Sequence, residues 1–169
     1  MWSALTIEFC CHSVAGLLPL YHGAVRARPF RAPHHTVSDS GLVGGGMPQR
    51  PGEVSLAHRG VLFLDEVNEF RRANLERLGH VLDTHSIGVI REGRRAEFKA
   101  APEMVIAAAR PCPCGFFGAP GRGCSCSEES RARYRGRLRG GFFDRFAIRI
   151  MLPYPSPGAP VVDRERETS

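Results

Sequence analysis

The chain has 169 residues, of which 43% are hydrophobic, and its 23 lysines and arginines exceed its 17 aspartates and glutamates to give a net charge of +6. This composition excludes collagen-like, low-complexity and wholly disordered chains, and it fits one globular domain with a buried core. The positive charge favours anionic partners such as nucleotides or nucleic acids without choosing between them.

The first 25 residues predict a short helix followed by a loop, because Pro19 interrupts an apolar pattern that begins near Ile7. They lack the basic start of a secretory signal, and no later stretch offers the roughly 20 apolar residues of a membrane-spanning helix. We therefore expect a cytoplasmic protein with no membrane partner. In that compartment the six cysteines are expected to be reduced thiols or metal ligands rather than disulfides.

Residues 26–60 are rich in Pro, Gly, Arg and His, which predicts a long loop with one short helix near Val37–Val43. His34 and His35 have no accompanying cysteine or carboxylate pattern, so we expect them to pack in the loop or face nucleic acid rather than bind a metal. The run Gly44–Gly46 lacks the Lys-Ser or Lys-Thr that ends a phosphate-binding loop. It is interpreted as a flexible loop.

Four apolar residues, Val61–Leu64, run directly into the carboxylates Asp65 and Glu66. A parallel strand that is buried on both faces is continuously apolar, and its carboxyl end is where an α/β sheet presents ligand-binding groups. This is the pattern of a Walker B strand, in which the first carboxylate holds Mg²⁺ and the second activates water. The matching GxxxxGK[S/T] phosphate loop occurs nowhere in the 169 residues.

Asn68 is predicted to cap a helix, because an apolar stripe at helical spacing follows it from Phe70 to Leu82. Residues 87–100 alternate in polarity and predict a hairpin with a basic tip that either contacts phosphates or is simply solvated. The basic residues of that hairpin are Arg91, Arg94, Arg95 and Lys99. Further strands are predicted at 104–109 and at 148–152, and a partly helical, strongly basic segment is predicted at 127–140.

Two Cys-x-Cys pairs stand nine residues apart in a segment rich in Gly and Pro. Four thiolates could close a tetrahedral Zn²⁺ site, although this spacing is tighter than the usual Cys-x-x-Cys knuckle. Reduced free thiols in a tight loop are the alternative. The four residues are Cys112, Cys114, Cys124 and Cys126.

Several longer motifs together resemble the magnesium-chelatase-like AAA+ ATPases, especially the ComM type, from about residue 12 to residue 157. They are RPFRAPHHT, LVGGG, GEVSLAHRGVLFLDE, RPCPCG and FFDRF. The resemblance implies an α/β fold, namely a partial AAA+ P-loop NTPase core with a parallel sheet flanked by helices, an inserted hairpin and a Cys-rich loop. It also implies a domain over residues 1–157, followed by a linker or disordered end over residues 158–169. The phosphate loop would then lie upstream of Met1, as in an amino-terminally truncated chain.

The same resemblance implies roles for individual residues. Asp65 would bind the Mg²⁺ of ATP, Glu66 would be the general base and part of the nucleotide site, and Arg145 of FFDRF would be an arginine finger acting on a neighbouring subunit. Arg110 stands where the family usually has a sensor Asn, so it would place a permanent charge in the catalytic site. The intact relative would be a hexameric ring that hydrolyses ATP and remodels DNA, whereas this chain would be impaired.

Two alternatives stay open. One is a Zn²⁺-stabilised nucleic-acid-binding module without ATPase activity, which would use the basic hairpin and the arginines between Arg131 and Arg139. The other is a fragment of the ATPase subunit of a magnesium chelatase.

Overall fold

The structure is a computed structural model that describes residues 12, 15–17, 28–46, 49–91 and 94–154, with the backbone alone at 89–91 and 94–96. The predicted amino-terminal helix and the predicted linker over residues 158–169 lie outside these described residues. Among the residues that are described, no helix has the length and apolar character required to cross a membrane.

Most elements follow one another along the chain with short connections, and the longest connection among them is the segment 108–127. The strands are β1 (Phe30–Arg31), β2 (Gly44–Gly45), β3 (Arg50–Pro51), β4 (Val61–Leu64), β5 (Ser86–Arg91), β6 (Arg94–Lys99) and β7 (Met104–Ala107). The α-helices are α1 (Asp39–Val43), α2 (Glu53–Leu56), α3 (Arg72–Thr84) and α4 (Glu128–Gly136). Short 3₁₀ turns occupy Val67–Glu69 and Phe143–Arg145.

The central feature is a parallel three-stranded sheet in the order β1-β4-β7. Helix α3 and the antiparallel hairpin β5–β6 form the connection from β4 to β7, as parallel pairing requires. The predicted α/β class is therefore confirmed, with a parallel sheet, flanking helices and an inserted hairpin. The strand at 61–64, the hairpin, the strand from residue 104 and the short helix before Gly44 are also confirmed.

The core lies on one face of this sheet. Leu62 and Leu64 of β4 are fully buried there and belong to one apolar cluster with Leu42, Val54 and Leu78. Burying each of these leucine side chains favours folding by about 1.5–3 kcal/mol. This packing fixes β4 in place, and with it the two carboxylates at its end.

The opposite face of the sheet is largely open, which corrects the prediction that β4 is buried on both faces. Phe63 of β4 is only half-buried there and stacks on Phe30, with ring centroids 6.3 Å apart. Phe30 is 62% exposed, and Met104 and Ile106 of β7 are also exposed. The apolar run therefore predicts the central strand correctly, but it does not show whether one face or both faces of the strand are buried.

Three local predictions are wrong. Asn68 does not cap a helix but lies buried in the 3₁₀ turn, and α3 begins four residues later after Arg71, which makes no side-chain capping bond. The predicted strand at 148–152 is irregular and exposed, because it pairs with no strand in the described part of the chain. The predicted flexible glycine loop instead contains β2, which pairs with β3.

Candidate functional site

Asp65 and Glu66 lie at the carboxyl end of β4, in the middle of the parallel sheet. The backbone N–H of Glu66 donates to Asp65 Oδ1 over 2.8 Å, which orients the exposed Asp65 carboxylate. Glu66 has a left-handed backbone with φ of 50°, uncommon for a residue with a side chain. Such a conformation is kept only where the surrounding structure imposes it, and it often occurs at functional sites.

The loops after β4 and β7 are joined by backbone hydrogen bonds. Val67 N–H donates to Ala108 O over 2.9 Å, and Ala108 N–H donates to Leu64 O over 2.9 Å. This pairing brings Arg110 beside Glu66, where Arg110 Nη2 donates to Glu66 Oε1 in a partly exposed ion pair. The structure therefore brings together three predicted site residues, Asp65, Glu66 and Arg110.

His35 is a site residue that the sequence analysis missed. Its Nδ1 lies 3.6 Å from Glu66 Oε2, whereas Arg110 contacts the other carboxylate oxygen, Oε1. The centroid of the His35 ring also lies 4.0 Å from that of His34, with the two rings tilted by 36°, and 6.4 Å from that of Phe70 in an edge-to-face arrangement. The contact follows from the sheet order: β1 runs parallel to β4, so the residues that follow β1 reach the same sheet edge as Glu66.

Arg145 lies elsewhere, against the end of α3. Its Nε donates to Asp83 Oδ1 over 2.8 Å, its Nη2 contacts Asp83 Oδ2, and its Nη1 donates to the Gly141 carbonyl. The hydrogen bond from Arg145 holds the pKa of the Asp83 carboxyl below its usual value and raises that of Arg145 itself. Arg145 thus contacts α3 and the segment before the last 3₁₀ turn, and these contacts do not include the Asp65–Glu66 pair of its own chain.

The basic residues proposed to contact nucleic acid lie in two groups, the hairpin and α4. The hairpin register sets Arg91 opposite Arg94 and Ile90 opposite Arg95, while Lys99 is exposed at the far end of β6. In the second group, the arginines in α4 and directly after it are largely paired with acidic residues. Arg131 and Arg135 contact Glu128, Arg133 contacts Glu129, and Arg137 contacts Glu69. The charge of the second group is therefore partly neutralised within the chain.

The four cysteines 112, 114, 124 and 126 come together in the loop between β7 and α4, with their Sγ atoms within 4.8 Å of one another. A hydrogen bond from the Phe116 backbone is the main reason that the pKa of Cys114 falls to about 6. At Cys126 a hydrogen bond with the Cys114 backbone favours the thiolate, but desolvation and the neighbouring sulfurs outweigh it and raise the pKa to about 11. The sequence prediction of a four-thiol cluster is thus matched by the geometry.

A cleft of about 440 Å³ lies between the start of α3 and the segment at 140–143. Asn68, Arg71 and Phe142 line it, whereas Asp65 and Glu66 do not. Its position makes it a groove beside the site rather than the place where the two carboxylates act.

Comparison with known proteins identifies relatives over most of the chain. The family model described as magnesium chelatase, subunit ChlI, matches residues 4–159. The YifB protein of Escherichia coli is 43% identical over 133 residues, which cover 79% of this chain and 26% of YifB. The Mycobacterium tuberculosis protein Rv2897c is 42% identical over 88% of this chain and 29% of its own length. The competence protein ComM of Haemophilus influenzae is 42% identical over 79% of this chain and 26% of ComM.

Among solved structures, NtrX from Brucella abortus in complex with ADP aligns with a TM-score of 0.39 and 25% identity, covering 48% of this chain and 20% of NtrX. The chain spans between a quarter and a third of the length of the relatives named above. A family model that matches 156 residues, from 4 to 159, covers almost the whole sequence. The chain therefore belongs to the family of the magnesium chelatase subunit ChlI.

Proposed function

We propose that this chain supplies the magnesium-binding and water-activating part of an ATP hydrolysis site, with Asp65 as the Mg²⁺ ligand and Glu66 as the general base. One observation carries the proposal. Both carboxylates stand at the carboxyl end of the central parallel strand, and the two oxygens of Glu66 contact Arg110 and His35. Membership of the ChlI family supports an ATPase-type module.

The residues present suit Mg²⁺. This ion takes oxygen ligands and is usually held in proteins by one or two carboxylates together with water and phosphate oxygens. Asp65 is an exposed carboxylate whose orientation is fixed by the Glu66 amide. When bound there, Mg²⁺ would supply positive charge that stabilises the phosphates of ATP during transfer.

Arg110 and Glu66 define a resting arrangement of this site. A guanidinium binds phosphate as well as carboxylate, so an incoming γ-phosphate would compete with Glu66 for Arg110. Transfer of Arg110 to the phosphate would release a Glu66 oxygen for hydrogen bonding to water. Arg110 would thus act as the sensor, in place of the neutral amide that the resemblance leads one to expect.

The phosphate cradle is a separate requirement. The sequence contains no GxxxxGK[S/T], and the Gly44–Gly45 segment is a short strand rather than such a loop. We therefore propose that ATP hydrolysis by these 169 residues alone is impaired, and that a complete site needs a phosphate loop from other residues. Residues 1–157 would be the ATPase part and 158–169 a linker.

Arg145 is proposed as the arginine finger for a neighbouring subunit in a hexameric ring. Its contacts with Asp83 hold it away from the carboxylates of its own chain, as a residue acting on another protomer would require. For the whole protein we propose DNA remodelling as the output, which the identity of one relative as a competence protein supports. The basic hairpin, with Arg91, Arg94, Arg95 and Lys99, is the proposed contact with DNA phosphates.

The test compares two chains: the 169-residue protein and the same protein extended at its amino end by a strand, a GxxxxGK[S/T] loop and a helix. Binding of a fluorescent ATP analogue and release of phosphate are measured with and without Mg²⁺. We expect binding and turnover by the extended chain alone. Binding of MgATP by the shorter chain would contradict the proposed impairment.

In the extended chain, Glu66→Gln should keep ATP binding and lower turnover by about 10²–10⁴-fold, the range of a general base. Glu76→Gln, an exposed carboxylate on α3 paired with Arg72, serves as the matched control and should leave turnover unchanged. Undiminished turnover in Glu66→Gln would contradict the base assignment.

The second candidate function is a Zn²⁺-stabilised nucleic-acid-binding module without ATPase activity, which the clustered cysteines and the basic hairpin favour. Its signature would be DNA binding by the 169-residue chain that weakens steeply with salt, with no ATP turnover in the extended chain. A magnesium-chelatase ATPase subunit is the remaining branch, and it would lack salt-dependent DNA binding.

A further inference from the structure

The cysteine cluster has the dimensions of a coordination site for one metal ion. Cys112 Sγ lies 3.4 Å from Cys114 Sγ and 3.7 Å from Cys124 Sγ, and the last two are 3.6 Å apart. A tetrahedral Zn²⁺ with Zn–S bonds of about 2.3 Å holds its sulfurs about 3.8 Å from one another. The fourth sulfur, of Cys126, falls within the 4.8 Å limit of the group. Four thiols therefore already converge on a common centre.

Other uses of four cysteines fit this geometry less well. All four are free thiols, and their separations far exceed the roughly 2.0 Å bond of a disulfide. Iron–sulfur clusters also use four thiolates, but they place several iron and sulfide atoms between them. Sulfurs this close together leave room for a single ion. Four thiolates in a tetrahedral set favour Zn²⁺ among common single ions.

The surroundings compensate the charge that such a site would carry. One Zn²⁺ and four thiolates sum to about −2, so N–H donors and cations nearby stabilise it. Arg131 of α4 donates from Nη1 to the Cys126 carbonyl over 3.1 Å, which places a guanidinium beside the cluster. The Cys112 side chain is fully buried, which shields the centre from solvent.

The cluster also joins the two elements that flank Glu66. On one side, Gly115 closes a turn with its N–H donating to Cys112 O over 3.0 Å, and a Cβ at Gly115 would lie 3.8 Å from Arg110 Cδ. On the other side, Cys126 is tied to α4, and Arg137 at the end of α4 donates to the Asn68 carbonyl over 3.1 Å. A metal at the cysteines would therefore hold both the Arg110 loop and the turn after Glu66.

We infer that Cys112, Cys114, Cys124 and Cys126 form a structural tetrathiolate Zn²⁺ site that fixes the loop after β7 and thereby positions Arg110 against Glu66. The long segment at 108–127 contains no helix or strand. A metal centre supplies the order that such a segment cannot obtain from backbone pairing. The role of the metal is structural, because all four ligand positions are occupied by protein.

The first experiment measures metal in the 169-residue chain purified under reducing conditions from zinc-supplemented cells. We expect about one zinc per chain by elemental analysis, and, after exchange with Co²⁺, the intense charge-transfer and d–d bands of a tetrahedral tetrathiolate centre. Iron in place of zinc, or a chain that neither retains nor takes up zinc, would overturn the inference.

The second experiment identifies the ligands. Cys112→Ser and Cys124→Ser should each lower Co²⁺ affinity by at least about 10- to 100-fold. This is the loss that follows when only a residue hydrogen-bonded to a metal ligand is removed. The double variant Cys10→Ser, Cys11→Ser is the matched control, because it removes the two cysteines that are not among these four and should keep full affinity. Loss of binding in the control but not in the cluster variants would contradict the assignment.

A third measurement does not depend on variants that could fail to fold. Amide hydrogen exchange of the wild-type chain is compared with zinc bound and after removal by a chelator. We expect faster exchange in peptides covering 108–127 and in the turn at 65–70, with little change in α3, which packs in the apolar core. Loss of zinc without change at 65–70 would overturn the proposed positioning of Arg110.

Discussion

His58 is a buried histidine just before β4, and it should make the stability of the fold depend on pH. Its Nδ1 accepts the Ala101 N–H over 3.1 Å. Burial chiefly, followed by the charges of Arg59 and Lys99, holds its pKa below the usual 6.5. The unfolded chain therefore takes up a proton at a higher pH than the folded chain does. The contribution of neutral His58 to the free energy of unfolding is therefore fully present above pH 6.5. It is lost as the pH falls toward the lowered pKa of His58 in the folded chain.

We accordingly expect the free energy of unfolding to decrease between about pH 7.5 and about pH 5.5. Urea unfolding followed by circular dichroism measures it. His58→Gln, which keeps an acceptor for the Ala101 amide but does not titrate, should lose most of this dependence. The exposed His80→Gln should retain it. An unaltered pH dependence in His58→Gln would refute the assignment.

Arg31 and Glu53 form the half-buried ion pair that joins β1 to α2. Arg31 Nε and Nη2 donate to the two Glu53 oxygens over 2.6 and 2.8 Å, a two-point contact that lysine cannot reproduce. The hydrogen bond to Glu53 raises the pKa of Arg31. Arg31→Ala leaves the Glu53 carboxylate without this partner and should lower the free energy of unfolding by about 1–3 kcal/mol.

The matched control is the exposed pair Arg72 and Glu76 on α3, whose Nε and Oε1 lie 2.9 Å apart. Arg72→Ala should change stability by no more than about 0.5 kcal/mol, since water solvates both charges. Equal effects of the two substitutions in denaturant titrations would show that burial does not decide the value of these pairs.

Residue types alone indicated the two carboxylates and the four cysteines, because adjacent acids after an apolar run and paired thiols are local patterns. They did not indicate His35. Its contact with Glu66 depends on β1 lying parallel to β4. The residues around His34 and His35 in the sequence do not indicate that Glu66 lies nearby. Long-range adjacency of this kind becomes visible only once the sheet order is known.

At the scale of elements, β1 and β4 approach each other closely at Gly60. A Cβ added to Gly60 would lie 2.0 Å from the Pro29 carbonyl oxygen, which also accepts the Val61 N–H over 2.8 Å. Gly60→Ala must therefore separate the two strands. We expect a loss of several kcal/mol, of the order of 3 or more, or failure to fold.

Gly136, at the end of α4, provides the control, because a Cβ there would meet no atom within 4 Å. Gly136→Ala should be neutral or stabilise by up to about 1 kcal/mol, since alanine is the better helix former. The midpoint of thermal unfolding distinguishes the two variants. A Gly60→Ala chain as stable as the wild type would contradict the close approach of β1 and β4.

The elements that could be predicted are those whose signal is contained in their own residues. The β4 run, the alternation of the hairpin and the apolar stripe of α3 all appear at the expected places. The start of α3 could not be predicted, because buried Asn68 donates from Nδ2 to the Tyr134 carbonyl of α4 over 3.4 Å instead of capping a helix. The apolar segment 148–152 shows that apolar residues make a strand only where a partner strand is available.

At the scale of the whole molecule, the exposed apolar segment is expected to promote self-association. Ile148, Ile150, Met151 and Leu152 are between 76% and 94% exposed. Contiguous apolar surface of this kind is a site for contact with other chains. Replacing Ile150 and Met151 by Ser should shift the chain toward the monomer in sedimentation velocity at a fixed concentration. As the control, replacing the exposed polar pair Arg133 and Glu129 by Ser should leave the degree of self-association unchanged.

The open face of the parallel sheet has a practical consequence for how this protein is assayed. Phe30, Met104 and Ile106 expose apolar surface on one face of the sheet, while the other face packs against the core. A dye such as ANS, which normally signals a molten globule, should therefore fluoresce on the native chain. Strong dye fluorescence at low temperature would then come from dye bound to the folded sheet. In a thermal unfolding scan that follows dye fluorescence, the signal would be high from the start and would rise little on unfolding.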